Sequence, residues 1–396
     1  MSVNKVMQRF RAIINLIPKR YLSTYRNKPK NITKMGRYIY DNSANTISKI
    51  KYNGAVIVET KKGNDKIKAY NGGKNSVYAI YADAGKDTIS IYGGDAAVDA
   101  GSGNDSVTVY GGRTVVVSSG SGNDTLSVKG GTTVAIDSGS GNDTIYLRKG
   151  SSRVVTSGKG NDTIKISAGS GHVITAGAGN DKLYLEKGTK NSVIYTGDSG
   201  KDTITVSAGS YHILGGGAGN DKIYLNSGTG NELTVDAGSG NDEIIVKAGK
   251  EHTIHTGAGE DTISLSGGKM STVYLEEGIN KINTSAFTTC LVQKSKTSVD
   301  TITVDWKSNI GKTIIDTIKK EGVNTDQLII KNAKSSDFTF KYGADENMLV
   351  VYAESDTSKA VAISGWFWND AFSKITFTGD NVTLSYNQVF DKSIWV

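Results

Sequence analysis

A nine-residue phrase returns along this chain at a nearly fixed interval. It reads Gly101-Ser-Gly-Asn-Asp-Ser-Val-Thr-Val109, then Gly120-Ser-Gly-Asn-Asp-Thr-Leu-Ser-Val128, Gly139-Ser-Gly-Asn-Asp-Thr-Ile-Tyr-Leu147 and Gly158-Lys-Gly-Asn-Asp-Thr-Ile-Lys-Ile166, with further copies from Gly177, Gly217, Gly238 and Gly257. The closing Asp falls at positions 87, 105, 124, 143, 162, 181, 202, 221, 242 and 261, mostly 19 residues apart, with one step of 18 and two of 21. A frayed copy precedes the series at Lys61-Lys-Gly-Asn-Asp65, and another follows with Asn280 in the Asp place. Self-similarity at so short a period predicts a solenoid, in which each repeat buries its apolar side only by stacking on its neighbours.

One repeat supplies two strands. Thr144-Ile-Tyr-Leu147 alternates polar and apolar, so Ile145 and Leu147 point one way and Thr144 and Tyr146 the other. The Gly-x-Gly-Asn stretch before it suits a tight turn, because Gly accepts positive φ and Asn tolerates it. The other half of the period has its own glycine turn and strand, as in Gly111-Gly-Arg-Thr-Val-Val-Val117 and Gly130-Gly-Thr-Thr-Val-Ala-Ile136. Each period is therefore turn, strand, turn, strand, which is one coil of a two-sided parallel β-solenoid.

Stacked coils put equivalent Asp residues in one file about 4.8 Å apart. Carboxylates at that distance repel by about 1 kcal/mol per pair in water and by more in a less polar setting. No Lys or Arg recurs in register to offset them. A Ca²⁺ ion takes six to eight oxygens, and glycine turns offer bare backbone carbonyls beside each carboxylate. The alternative is that each Asp only caps its own turn. In two copies Asp83 and Asp198 replace the first Gly and Lys86 and Lys201 replace the Asn. There the extra carboxylate is a candidate further ligand, and the lysine a candidate salt partner in place of the ion.

The phrase Gly-x-Gly-Asn-Asp-x-apolar-x resembles the RTX nonapeptide of secreted bacterial proteins, over about residues 61–283. The resemblance implies an all-β fold: a right-handed parallel β-roll that forms on calcium once the chain is outside the cell. It implies ligands at Gly85 and Asp87; Gly101, Gly103 and Asp105; Gly120, Gly122 and Asp124; Gly139, Gly141 and Asp143; and Gly158, Gly160 and Asp162. The series continues at Gly177, Gly179 and Asp181; Gly200 and Asp202; Gly217, Gly219 and Asp221; Gly238, Gly240 and Asp242; and Gly257, Gly259 and Asp261. The family often repeats the Asp motif in both half-turns. Here the second half lacks it, so one calcium column is expected rather than two.

The net charge of +7 is not a property of the whole chain. Residues 1–40 hold ten of the 46 basic residues and no acidic one, which leaves 36 against 39, or −3, for the remainder. Val3, Met7, Phe10, Ile14 and Ile17 form one helical stripe that stops before Pro18. Residues 1–40 thus read as a basic, amphipathic helical arm, loosely structured over 19–38. It would cap the first coil, bind an anionic cell surface or lipid, or self-associate. Tyr21, Tyr25 and Tyr38 lie among its basic residues, but no nucleic-acid-binding fold accompanies them, so nucleic acid is not expected as a partner. Residues 41–283 read as the β-roll. Residues 284–396 lose the motif and gain the four Trp; strands are expected at 326–330, 348–352, 360–364 and 375–377, and a short helix at 311–321. From Asp326 through Gly365-Trp-Phe367 to Gly379 this segment is similar to the domain that closes RTX repeats in haemolysin-type proteins, and its tail weakly resembles type I export signals.

His172, His212 and His252 are 40 residues apart, or two coils, too far for neighbouring rings to share one zinc. They read as polar ladder residues near a turn. The single Cys290 rules out an internal disulfide framework, and no nucleophile elbow, zinc-protease helix or phosphate loop occurs. The reading is an extracellular or cell-surface, non-enzymatic, calcium-folded protein with a surface-layer, matrix or adhesive role, exported by the type I route of a Gram-negative bacterium and capable of self-assembly. Alternatives are an effector or toxin whose basic arm acts on membranes, and a polysaccharide-modifying β-solenoid enzyme using the tyrosine column.

Overall fold

The computed structural model describes residues 24–25, 30–150, 152–187, 189–190, 193–226, 230–267, 269–285, 289–293, 297–307, 312–316, 326–343, 348–353, 356–364 and 372–395. Two compact units divide the chain, Met1–Ser199 and Gly200–Val396.

In the first unit every period folds as two short strands that belong to two facing parallel sheets. The strand after each Asp turn joins the first sheet: Ser106–Val109 pairs with Thr125–Val128, that with Thr144–Leu147, then Thr163–Ile166 and Lys182–Leu185, residue for residue one coil on. The other strand joins the second sheet, as Asp95–Asp99 does with Thr114–Ser118 and Thr133–Asp137. The expected alternation holds in the first sheet, whereas strands of the second bury three residues in a row, so that outward Ile57, Ala79 and Ala97, and Val116 and Ala135, form apolar clusters of their own. Ile145 and Leu147 are fully buried and so are Val134 and Ile136, while Thr144, Tyr146 and Thr133 face out. Each such apolar side chain contributes roughly 1.5–3 kcal/mol by leaving water. β-Branched residues dominate these positions because they suit a pleated, close-packed interior.

The first sheet begins inside the stretch expected to be loose. Asn31–Ile32 pairs with Thr46–Ile50, and Gly36–Ile39 with Ala55–Glu59, so described residues of the basic segment are strands with buried Ile32 and Tyr38. The apolar stripe Val3–Ile17 lies outside the described residues, as do Trp366 and Trp368.

The second unit repeats the arrangement, with Thr203–Val206, Lys222–Leu225, Glu243–Val246, Thr262–Leu265 and Ile279–Thr284 stacked in parallel. Parallel pairing does not stop where the glycine motif does. Within this unit Val299–Asp305, Gln327–Lys331 and Lys374–Phe377 extend the stack that contains Ile279–Thr284, and Thr289–Gln293, Lys312–Asp316 and Asp356–Ser364 extend the facing stack from Ser271–Leu275. The helix expected at 311–321 is corrected here: Lys312–Asp316 is a strand, because Thr313 and Ile315 alternate inward and are fully buried. Among the described residues the one α-helix is Tyr386–Lys392, and Ser335–Asp337 forms a single 3-10 turn.

The last coil is finished by antiparallel pairing. Met348–Ala353 lies between Thr339–Gly343 and Asp356–Ser364, and Val382–Ser385 folds back on Lys374–Phe377. A parallel solenoid ends in bare N–H and C=O groups that invite another chain, and reversed strands cover them.

Candidate metal column

The ten Asp residues singled out in the sequence are all interior, with 0–2 % exposure. Each sits at the point where the glycine turn becomes a strand of the first sheet. In the first unit one carboxylate oxygen holds the preceding coil: Asp124 Oδ1 accepts the Asp105 N–H at 2.7 Å, Asp143 Oδ1 that of Asp124 at 2.8 Å, and Asp162 Oδ1 that of Asp143 at 2.7 Å. In the second unit Asp221, Asp242 and Asp261 do the same for Asp202, Asp221 and Asp242 at 2.7, 2.7 and 3.0 Å. The Asp is thus more than a turn cap, because it bridges coils rather than closing its own.

The second oxygen is the unusual one. Oδ2 of Asp87, Asp105, Asp124, Asp143 and Asp162, and of Asp221, Asp242 and Asp261, is buried and receives no hydrogen bond. Ser119, Ser138 and Ser157 lie beside the carboxylates of Asp124, Asp143 and Asp162. The Ser119 and Ser138 hydroxyls, however, donate to the carbonyls of Ser138 and Ser157 at 3.0 and 2.8 Å, and that of Ser157 donates to the Ala176 carbonyl at 2.8 Å. Burial pushes the carboxyls of Asp87, Asp143 and Asp242 up to about 7 and those of Asp105 and Asp124 to about 6, against the neighbouring N–H that pulls each down. An ionised carboxylate with one unpaired oxygen out of water is costly, and adjacent members repel, as Asp143 does with Asp162 and Asp124.

The glycines crowd carbonyl oxygens into the same place. Gly120 has φ +97° and Gly122 φ +122°, and a Cβ on them would stand 1.9 Å from the Gly101 oxygen and 2.0 Å from the Gly103 oxygen. Only a residue without a side chain allows coils to approach so closely there. Among the described residues no three His, Cys, Asp or Glu side chains converge. A cation at these turns would be held by single-file carboxylates together with backbone carbonyls, a donor set of hard oxygens that suits Ca²⁺. The pattern fits: carboxylate oxygens without a hydrogen bond lie beside glycine carbonyls, of which those of Gly101 and Gly120 each accept one N–H, of Ser121 and Ser140 at 2.9 Å, and keep a second lone pair.

The second-half turns carry no matching file of carboxylates; buried polar residues at their ends include Arg153 and His172 in the first unit and His212 and His252 in the second. At Asp83 the substituted carboxylate keeps the glycine's positive φ of 69° and makes an exposed 3.8 Å ion pair with Lys61 rather than with Lys86.

The column is longer than the glycine motif. Asp65 begins it, with the Asn45 N–H on its Oδ1 at 2.6 Å. In the second unit Asn280 donates to Asp300 Oδ1 at 2.9 Å, and Asp326 Oδ1 accepts the Asp300 N–H at 2.8 Å. The signal for Asp300 and Asp326 was present as an Asp opening an alternating apolar strand, in Asp300-Thr-Ile-Thr-Val304 and Asp326-Gln-Leu-Ile-Ile330, without the glycines.

The three histidines are near a turn, as expected, but they are interior, at 0–1 % exposure. His252 Nδ1 accepts the Leu233 N–H at 3.2 Å and its Nε2 lies 3.0 Å from the Ala248 carbonyl, so the ring is neutral with its proton on Nε2. Burial lowers all three, His172 to about 4. Arg153 is fully buried one coil before His172 and takes carbonyl oxygens instead, of Gly131 at 2.9 Å and Lys149 at 3.0 Å.

Residues 135–153, 166–189 and 196–230 match the family model of the RTX calcium-binding nonapeptide repeat, in four copies. The chain carries RTX calcium-binding repeats on a parallel β-solenoid, and such repeats bind Ca²⁺. No curated relative matches it.

Proposed function

We propose that this chain is an exported, non-enzymatic protein that folds on calcium outside the cell and serves as a surface, matrix or adhesive element. The observation that carries the reading is the file of interior carboxylates, in which Asp105, Asp124, Asp143, Asp162, Asp221, Asp242 and Asp261 each commit one oxygen to the preceding coil while the other oxygen receives no hydrogen bond. In this reading Asp87, Asp105, Asp124, Asp143, Asp162, Asp181, Asp202, Asp221, Asp242 and Asp261 hold Ca²⁺ together with the carbonyls of the paired glycines between successive turns. Bound calcium supplies positive charge to a file that otherwise repels itself. The Oδ1 atoms keep the coil register, the glycines bring the carbonyls in, and the apolar strands keep water out.

Binding and folding are then one event, since the site exists only when coils are stacked. Free calcium above the dissociation constant stabilises the fold by RT ln(1 + [Ca²⁺]/Kd) at each independent site. A chain of this kind stays unfolded where calcium is scarce and locks where it is abundant, which suits passage through a type I exporter. Circular dichroism tests the coupling: excess chelator abolishes the β signal and calcium restores it. Unchanged β content in chelator overturns the proposal.

A further inference from the structure

We propose that the outward face of the first sheet in the unit Met1–Ser199 binds a linear acidic polysaccharide. This gives the adhesive role a ligand and rests on that reading. The face is built from the first and third residues of each strand after an Asp turn, together with the residue that follows the strand. From Lys66–Ala69 to Lys182–Leu185 these positions hold six cations, Lys66, Lys68, Lys129, Arg148, Lys165 and Lys182, against one carboxylate, Glu186. Among the described residues none of the six lies in an ion pair with a carboxylate.

The other sheet of the same unit shows that this is not simply a charged, soluble surface. The middle of its outward side is buried and apolar, at Ile57, Ala79, Ala97 and Val116, and the charges beside it include Glu59, Asp95, Asp99 and Asp137, with Arg37 forked onto Glu59 at 2.8 and 2.9 Å and Arg113 reaching Asp95 at 2.7 Å. Solubility alone favours both signs interspersed on every face. Here one face is matched and the other is left cationic.

Tyrosines hold the cations in place. Tyr70, Tyr92 and Tyr110 follow three successive strands and stack at 4.6 Å with their planes within 4°. Lys129 continues that file, with its ammonium 4.7 Å from the Tyr110 ring centre. Beside it the Arg148 guanidinium lies 4.9 Å from Tyr146, and Lys165 spans Tyr146 and Tyr184 at 6.0 and 5.5 Å. Cations resting on ring faces stay positively charged, so the side chains are positioned without being neutralised. Alongside runs a file of hydroxyls, Thr88, Ser106, Thr125, Thr144 and Thr163, in register one per coil.

The spacing and chemistry select the ligand class. Lys129, Arg148, Lys165 and Lys182 come one per coil over four successive coils, about 5 Å apart, while Lys66 and Lys68 share a coil separated from them by two coils without a cation. Duplex DNA carries a charge every ~1.7 Å, much denser than this face. Single-stranded nucleic acid is usually bound by open ring faces, whereas these rings are covered by one another or by cations. A chain of uronic acid sugars offers one carboxylate per sugar, each sugar about as long as one coil step, and hydroxyls between them for the Thr and Ser file.

The test is fluorescence anisotropy with a labelled short oligouronate, at fixed free calcium, on the full chain. The expected result is binding that weakens steeply with salt, with no binding of neutral dextran and weaker binding of a single-stranded DNA of equal charge. The double variant Lys129→Gln with Arg148→Gln should lose at least tenfold in affinity. A second variant, Thr133→Glu with Val173→Glu on the outward face of the opposite sheet, changes net charge equally and should bind as the parent does. Equal loss in both variants, or DNA bound as tightly as the oligouronate, or no binding of the parent, overturns the proposal. Calcium-dependent folding, followed on the same samples by circular dichroism, reports separately on the calcium reading.

Discussion

Asp143→Asn should change sign with calcium. Asn keeps an oxygen to accept the Asp124 N–H, which Asp143 Oδ1 takes at 2.8 Å, so the coil-to-coil hydrogen bond survives. What is lost is the charge and the unpartnered Oδ2. The chain tolerates an amide in this file already, since Asn280 donates to Asp300. Without metal, burial pushes the Asp143 carboxyl up to about 7. Holding it ionised at pH 8 then costs on the order of 3 kcal/mol against the unfolded chain. The substitution removes that cost and should raise Tm by about 3–5 °C in a protein of this size. With saturating calcium the same substitution removes a ligand and should lower Tm by a similar amount. The assay is thermal melting followed by circular dichroism, in calcium and in chelator, with trimethylamine oxide in all samples so that the folded state is populated without metal. Destabilisation of equal size in both conditions would refute the reasoning, because it would make Asp143 a hydrogen-bonding residue and nothing more.

The remaining predictions probe other parts of the column and its surroundings. In chelator, the raised carboxyls of Asp87, Asp143 and Asp242 contribute stability that is fully present below pH ~4 and lost as pH rises through about 7. The lowered histidines act oppositely, contributing above pH ~6.5 and losing that as pH falls, for His172 through about 4. Metal-free stability should therefore fall between pH ~4 and about 7 wherever the carboxyls outweigh the histidines, and level off above that, while calcium-loaded stability should fall only on acidification; urea melts across pH check both. Gly122→Ala forces a Cβ to 2.0 Å from the Gly103 oxygen at φ +122°, whereas Gly111→Ala meets the Tyr92 oxygen only at 3.2 Å. The first should cost at least ~2 kcal/mol and the second under ~1, read as Tm in calcium. Arg153→Ala should cost about 2–4 kcal/mol by leaving a cavity and unmet carbonyls. Arg153→His should recover most of that, because a ring there meets the Lys149 carbonyl as His252 meets that of Ala248.

The periodic part of the fold was legible because each level of the sequence agreed with the next. Alternation at 144–147 gave inside and outside, glycines gave the turns, and a constant step gave the register that places Asp105, Asp124 and Asp143 in file. Legibility ended where only one of those signals survived. Val299–Asp305 and Gln327–Lys331 keep the alternation and the opening Asp but have lost the glycines and the regular step. At Lys312–Asp316 five residues are too few to separate a helical from a strand period, and pairing on both sides decides in favour of the strand. The interior place of His172, His212 and His252 was hidden for another reason: a polar residue beside a glycine turn reads as exposed, and only the carbonyl four residues before it reveals a buried partner.

Anomalous diffraction from crystals grown in abundant calcium bears most directly on the metal column. The account predicts calcium peaks in a row between successive glycine turns, one coil apart, with Oδ2 of Asp105, Asp124 and Asp143 among their ligands. Water at those turns, with the same carboxylates protonated or turned aside, would contradict it.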